Sequence, residues 1–241
     1  MFITSFRQVK EYDYFNGFLE RLNTLNRICD LFIYCNNPDV SADIVTYYKH
    51  FTQANKHLYI TSTNIGFQMG AVEAVSRGIE MGVFAGYDYV IHLHPDVFIT
   101  GESGIVELLT ANVGNDYVFF VNKSVPDDER FFSFDFFIFK PALLRRNIFV
   151  DELHDYEDLP EHYLHDMLNK HGVKFKVVER FENDAWFPRR IDENLELYHE
   201  HDLGLVDDLL KRLAKEGAPR GEVVRWQRPV VELHPSPAIK R

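Results

Sequence analysis

Residues 64–99 read NIGFQMGAVEAVSRGIEMGVFAGYDYVIHLHPDVFI, in the order loop, helix, short strand, ligand cluster. Phe67, Ala71, Ala74, Val75, Gly78, Ile79 and Gly82 recur at three- and four-residue spacing, which predicts one face of a helix. That face is made of small residues, so the helix can lie close against a sheet. Close packing accounts for Gly70, Gly78 and Gly82, each of which costs about 1 kcal/mol in helix propensity. Asn64 and Gly66 stand just ahead of the first turn, where amides lacking an intrahelical partner can receive an anion.

Gly86-Tyr87-Asp88 turns the chain into Tyr89-Val90-Ile91-His92-Leu93-His94, an apolar run without helical period that predicts a central strand. Alternation sends His92 and His94 to one face and Ile91 and Leu93 to the other. Pro95 has no amide hydrogen for the ladder, so the strand stops there. Asp96 then falls at the carboxyl end, the edge at which open α/β sheets bind ligands.

Upstream, Phe2 to Phe6 reads as a strand, and Phe15, Phe18, Leu19, Leu22, Leu25 and Ile28 mark one helical face. Leu31 to Cys35 returns as a second, parallel strand. A helix carrying Ile44, Val45, Tyr48 and Phe51, with Ser41 as its cap, leads to a third strand from His57 to Thr61. The alternation β-α-β-α-β-α-β predicts an α/β fold with a mostly parallel central sheet flanked by helices, and a nucleotide-binding half. Asn36-Asn37-Pro38-Asp39 is either a turn chosen for its backbone or, with Thr4, Ser5 and Arg7 at the end of the adjacent strand, a nucleoside pocket. No Gly-x-Gly-x-x-Gly opens the first helix and no Walker lysine loop is present, which argues against dinucleotide oxidoreductases and P-loop enzymes.

The chain has 241 residues, enough for one well-buried domain, with 21 Phe and 12 Tyr and no apolar run near the length of a membrane span. A formal charge of −11 argues against a nucleic-acid partner, because phosphate backbones are held by Lys and Arg patches. A nucleotide needs only a local counter-charge, which a divalent cation can supply. Cys29 and Cys35 are too few for a disulfide framework and lack metal-site spacing. The amino terminus, MFITSFRQVK, has no basic region leading into a long apolar one, so a cytoplasmic location is expected.

Asn-x-Gly, a small-residue helix, an apolar strand and an acid-terminated triplet together resemble the donor-binding half of GT-A (Rossmann-like) glycosyltransferases, and among them the small glycosyltransferases of large algal viruses. The location would then be the host cytoplasm if the chain is viral. The family triplet is Asp-x-Asp; here it is His94-Pro95-Asp96, an imidazole replacing the first acid. The resemblance implies a single GT-A domain over 1–241: a nucleotide-sugar half at 1–100, an acceptor half at 101–202, and a helix and tail at 203–241. It implies a metal-dependent hexosyl- or pentosyltransferase that takes a UDP- or GDP-sugar and glycosylates a glycan or other hydroxyl acceptor, with Mn2+ or Mg2+ as cofactor. Asp96 and His94 would be metal ligands, completed by a late histidine. His199 and His201, in Leu197-Tyr198-His199-Glu200-His201-Asp202, stay open alternatives for it. Asn64, Gly66, Gly70 and His94 join Thr4, Ser5, Arg7, Asn37 and Asp39 as nucleotide contacts.

Beyond Ile99, a short helix at Ile105 to Ala111 and a strand at Asp116 to Val121 precede Phe131 to Phe139, a run apolar on both faces. Asp135 interrupts it, and a buried carboxylate must find donors or a cation, so it reads as an acceptor contact or a structural anchor. The acidic stretch from Asp151 to Glu161 precedes Tyr163, Leu164, Met167 and Leu168 at helical spacing, then Gly172-Val173-Lys174-Phe175. In inverting GT-A enzymes an acid at such a helix start takes the acceptor proton. Glu161 is the best match and Asp158 the second, which makes an inverting mechanism the expectation. Trp186 either offers a face for stacking on the acceptor sugar or closes an edge of the core. Leu203 to Ala214 is an amphipathic helix, and the Pro-containing tail can wrap the domain or a partner subunit, leaving a homo-oligomer open.

Three other readings compete. A nucleotide-sugar-binding module without catalysis is suggested by the altered triplet. His92-Leu93-His94-Pro95-Asp96 also spells His-x-His-x-Asp, similar to metallo-β-lactamase-fold hydrolases, although their following His is Val97 here. A nucleotidyltransferase lacks support, because the glycine-rich amino-terminal loop with a basic residue is absent.

Overall fold

The computed structural model describes residues 1–4, 10–37, 39, 41–49, 55–60, 69–112, 119–123, 129–141, 156–178, 197–200 and 202–215. Four parallel strands form the first part of the sheet: β1 (Phe2–Thr4), β2 (Leu31–Cys35), β3 (Lys56–Ile60) and β4 (Val90–Leu93). The chain then leaves through β5 (Val97–Ile99) and returns as β6 (Phe119–Lys123), β7 (Phe132–Phe139) and β8 (Phe175–Val178). The sheet has seven strands in the order β3-β2-β1-β4-β7-β6-β8, with β7 antiparallel to both neighbours. This is the expected α/β architecture with a mostly parallel sheet.

Alternation along the strands divides the core. Phe32, Tyr34, Val90, Phe137 and Phe139 pack with α4 (Met69–Glu80) and α6 (Pro160–Lys170). Leu31, Ile33, Ile91, Leu93, Phe136 and Ile138 pack on the other side with α1 (Lys10–Leu19), α2 (Asn23–Ile28), α3 (Ser41–Tyr48) and α5 (Ser103–Ala111). A separate cluster joins α1 to α7 (Leu203–Lys215) through Tyr14, Phe18, Phe98, Tyr198, Val206 and Leu209. It covers a two-stranded ribbon in which β5 pairs antiparallel with β9 (Leu197–His199).

Helix α4 shows why its glycines are there. A Cβ at Gly78 would come within 2.4 Å of the Phe84 ring, so the site accepts no side chain. Gly82, expected on the same helical face, lies past the helix end with φ of +70°. The Val83 and Gly82 amides donate to the carbonyls of Gly78 and Ile79, both at 3.1 Å, the bond pair that closes a helix through a left-handed residue.

A second expectation is also corrected. The face from Phe15 to Ile28 belongs to two helices, not one, and Ile28 is 62% exposed. The Asn26 side chain donates to the Leu19 carbonyl at the break. The Glu102 carboxylate caps α2, accepting from the Thr24 and Leu25 amides at 2.8–2.9 Å. The break lets Ile28 leave the buried stripe.

Candidate functional site

Strand order places the cleft. From β1 the chain moves outward to β2 and β3, then crosses back so that β4 lies on the other side of β1. Loops at the carboxyl ends of β1 and β4 therefore diverge, and ligands bind at such a switch point. Thr4 ends β1, and Asn37 and Asp39 follow β2 on the neighbouring strand. Asn37 Oδ1 accepts the Asp39 amide at 3.1 Å, which makes the expected turn, and Asp39 is exposed. Gly70 is buried in the first turn of α4. Ser5, Arg7, Asn64, Gly66, Trp186 and His201 lie outside the described residues.

The triplet forms a reverse turn. The Val97 amide donates to the His94 carbonyl at 3.1 Å, with Pro95 and Asp96 at the two central positions. Proline suits the first of these because its ring presets φ. The Asp96 carbonyl accepts the Glu200 amide at 3.1 Å, and Val97 is paired with His199 in the β5–β9 ribbon. Asp96 and His199 are thereby brought side by side from distant parts of the sequence. His199 Nε2 stands 3.7 Å from Asp96 Oδ2, and each side chain is 7% exposed.

Asp135 completes the cluster. Its Oδ1 is 3.4 Å from His94 Nδ1 and its Oδ2 is 3.5 Å from His199 Nδ1. Its carbonyl accepts the His94 amide at 2.9 Å, continuing the β4–β7 ladder. The β6–β7 register slips here: Val121 faces Phe137 but Lys123 faces Phe132, so two steps on β6 span five on β7. The burial pattern changes phase at the same place. Phe132 and Phe134 join Phe137 and Phe139 in one cluster, whereas Phe136 and Ile138 belong to the other. Such an irregularity re-aims a side chain out of the pleat, and here Asp135 turns toward the histidines.

His92 touches the His94 ring edge-on, with centroids 5.5 Å apart, but lies deeper. It is fully buried, stacked on Phe137 with centroids 4.3 Å apart, and burial followed by the nearby His94 pushes its pKa well below the usual imidazole value. The metallohydrolase reading fails on this residue and on the parallel sheet, because a dinuclear His-x-His-x-Asp site needs both histidines at the cleft.

Glu161 lies in the first turn of α6, with Pro160 at the helix start. Burial, and then the charge on Asp135, push its carboxyl above the ordinary range against the pull of its own amide and of His162. Glu161 is thus electrostatically coupled to the cluster. Asp158 is held differently: it accepts the Leu159 amide at 2.8 Å and pairs with Arg130 at 3.2 Å and His162 at 3.1 Å. The Leu159 amide, then His162 and Arg130, hold its carboxyl low. Arg130 also binds Asp166 at 2.6 Å, so this network fastens the helix start to the strand before it.

Among the described residues, no three His, Cys, Asp or Glu side chains gather closely enough to hold a metal without help. The site offers a pair. The 3.7 Å between Asp96 and His199 is longer than a hydrogen bond, and a cis pair on an octahedral cation with bonds of about 2.1 Å stands about 3.0 Å apart, so the two side chains would have to close by about 0.7 Å to share one ion. Mg2+-type nucleotide sites use one or two protein ligands and let phosphates fill the remaining positions. The donor chemistry, one carboxylate and one imidazole, is a mixed O/N set suited to Mn2+ and acceptable to Mg2+.

No protein-family model matches the chain, and no curated protein matches its sequence. Solved structures do. A mannosyltransferase from Pyrobaculum calidifontis in complex with GDP-Man and Mn2+ superposes with a TM-score of 0.55 at 9% identity, over 74% of this chain and 55% of that one. This chain therefore spans about half the length of that relative. A glycosyltransferase involved in glycosylation of the major capsid of PBCV-1 gives 0.52 at 8% identity, over 88% and 97%. The 4-diphosphocytidyl-2C-methyl-D-erythritol synthase of Anaerococcus prevotii gives 0.54 at 11%, over 88% and 96%. Such identities show shared architecture and no viral kinship. The chain has the GT-A-like α/β fold of nucleotide-diphospho-sugar transferases.

Proposed function

We propose that this protein is an inverting glycosyltransferase that moves a sugar from a UDP- or GDP-sugar to a hydroxyl of a glycan or similar acceptor. The observation that carries the reading is the convergence of Asp96, His199 and Asp135 at the β1/β4 switch point, beside the carboxyl ends of the strands bearing Thr4 and Asn37. The same fold serves nucleotidyltransferases. Sugar transfer is favoured because no glycine follows β1 before Gly17, so a glycine-rich phosphate loop cannot form there.

Asp96 and His199 would hold Mn2+ or Mg2+, with His94 beside them. A divalent cation there supplies Lewis-acid neutralisation of the charge that builds on the departing diphosphate. Asp96 would contribute the one anionic ligand, its backbone fixed by the Glu200 amide at the end of the β5–β9 ribbon. Thr4, Ser5, Arg7, Asn37 and Asp39 bind the nucleoside. Asn64 and Gly66, which precede α4 in the sequence, and Gly70 in its first turn would meet the phosphates, and Trp186 would stack on the acceptor.

Glu161 takes the acceptor proton as general base. Its raised pKa brings it nearer the operating pH, where a base is most effective. Asp158, held low by the Leu159 amide, His162 and Arg130, is the weaker base and serves to set the helix start. One base suffices for inversion, since no covalent intermediate is required.

The test is calorimetric titration of the full chain with UDP and with GDP, in Mn2+ and in EDTA, followed by hydrolysis and transfer assays over a donor panel. Tight binding that requires Mn2+, lost in Asp96→Ala, is expected. Equal binding in EDTA, or binding indifferent to Asp96→Ala, would remove the site assignment. Metal-dependent binding with neither slow donor hydrolysis nor transfer would favour the non-catalytic module instead.

A further inference from the structure

Asp135 is not a family motif residue in the reading above, and its environment is unusual. It interrupts a strand of otherwise buried phenylalanines, and its own side chain is 22% exposed. The strand deforms at that residue, and the side chain so released faces the Nδ1 atom of two histidines at once, at 3.4 Å and 3.5 Å. Both separations are long for a formed hydrogen bond, and a movement of about half an ångström completes either one.

A carboxylate has lone pairs only. Facing two Nδ1 atoms, it favours in each ring the tautomer with the proton on Nδ1, which leaves the lone pair on Nε2. The Nε2 atoms are the ones directed elsewhere. That of His199 stands beside Asp96 Oδ2, and that of His94 is buried with no hydrogen-bond partner among the described residues. Metal-bound histidines almost always give their other ring N–H to such an acceptor, which fixes both tautomer and orientation.

We infer that Asp135 is a positioning residue: from the irregular part of β7 it orients the rings of His94 and His199 so that the Nε2 lone pair of each is left available to a divalent cation. The inference rests on the transferase reading for the identity of that cation. It also explains why an imidazole can stand where the family triplet has its first acid. Asp135 lends His94 the orientation and basicity that a carboxylate would have carried at that position. An amide at 135 could not do the same, because its one oxygen accepts from a single ring. Its NH2 group would instead require the other ring to accept at Nδ1, which puts that ring's proton on Nε2.

Two measurements on the full chain test this. Two-bond 1H–15N correlation spectra of the metal-free protein report the tautomer of each imidazole, and electron paramagnetic resonance counts free Mn2+ during titration with saturating UDP or GDP. Expected are Nδ1–H tautomers for His94 and His199 in the native protein, and Mn2+ binding about 10- to 100-fold weaker in Asp135→Ala. Asp135→Asn should lie between, with one ring switched to Nε2–H, and nucleotide affinity in EDTA should be unchanged in both. If Asp135→Ala does not fold, Asp135→Asn decides alone. Nε2–H tautomers in the native protein, or Mn2+ affinity within twofold of native in the folded variants, would overturn the inference and leave the transferase reading standing. No Mn2+ uptake by the native protein with either nucleotide would overturn both.

Discussion

Asp96 stands on a turn that Pro95 imposes, at the end of a strand whose apolar run is plain in the sequence, whereas Asp135 stands where β7 slips against β6. Both enter the same cluster, one through a local rule and the other through a failure of regularity. The turn region, His94 to Ile99 with β9, carries the proposed cation ligands. The β7 region, with α6 beside it, carries the groups proposed to orient those ligands and to act as base. The difference teaches that an α/β sheet delivers one part of a site by strand order and the other part by a strand that departs from its pleat.

If the two regions divide the work in this way, replacing the base should leave binding intact. Glu161→Gln is expected to slow transfer by about 10²- to 10⁴-fold with Mn2+ and nucleotide affinities unchanged, measured by initial rates and calorimetry. A loss of nucleotide affinity instead would merge the regions. If Glu161 is the base, kcat/KM should also show an acid limb shifted above that of an ordinary carboxylate, because burial and then Asp135 raise the pKa of Glu161. The sign for stability is the reverse of a salt-bridged acid: the folded state holds this proton longer, so its contribution to stability is lost as pH rises from the unfolded toward the folded pKa.

The turn region depends on its ribbon being fastened to the domain. Phe98 is fully buried between Phe18, 4.7 Å away by ring centroids, and the apolar face of α7. Phe98→Ala should destabilise the fold by about 3–5 kcal/mol in urea unfolding, and weaken Mn2+ binding in whatever fraction stays folded. Unaltered stability would mean that the ribbon is not held from below.

Asp96→Ala removes an anionic donor directly and should weaken Mn2+-supported nucleotide binding by more than about 100-fold, beyond the range expected at Asp135. Equal effects at 96 and 135 would erase the distinction between ligand and orienting residue. The smallest expected effect lies outside both regions. Glu102→Ala removes the cap on α2 and should cost about 1–2 kcal/mol of stability, read as a lower urea midpoint, with transfer kinetics unchanged.

Much of the donor half was legible because its signals are local. The small-residue face of α4 and the alternation of β4 follow from helical and strand periodicity, and Pro95 ends β4 through its missing amide hydrogen. Periodicity also misleads locally: it puts Gly82 on a helical face although a left-handed residue there closes the helix, and the stripe from Phe15 to Ile28 hides a break capped by Glu102, far along the chain.

What the residues alone determine is the alternation of elements, the faces those elements bury, and a carboxylate at the end of the fourth strand. Each follows from periodicity or from the covalent geometry of proline. Three-dimensional pairing decided which histidine meets that carboxylate, since β5 and β9 are each only three residues long and acquire an identity by pairing. It also decided the direction of Asp135, because a side chain's face in a strand depends on register with its neighbours, and register is a property of two segments.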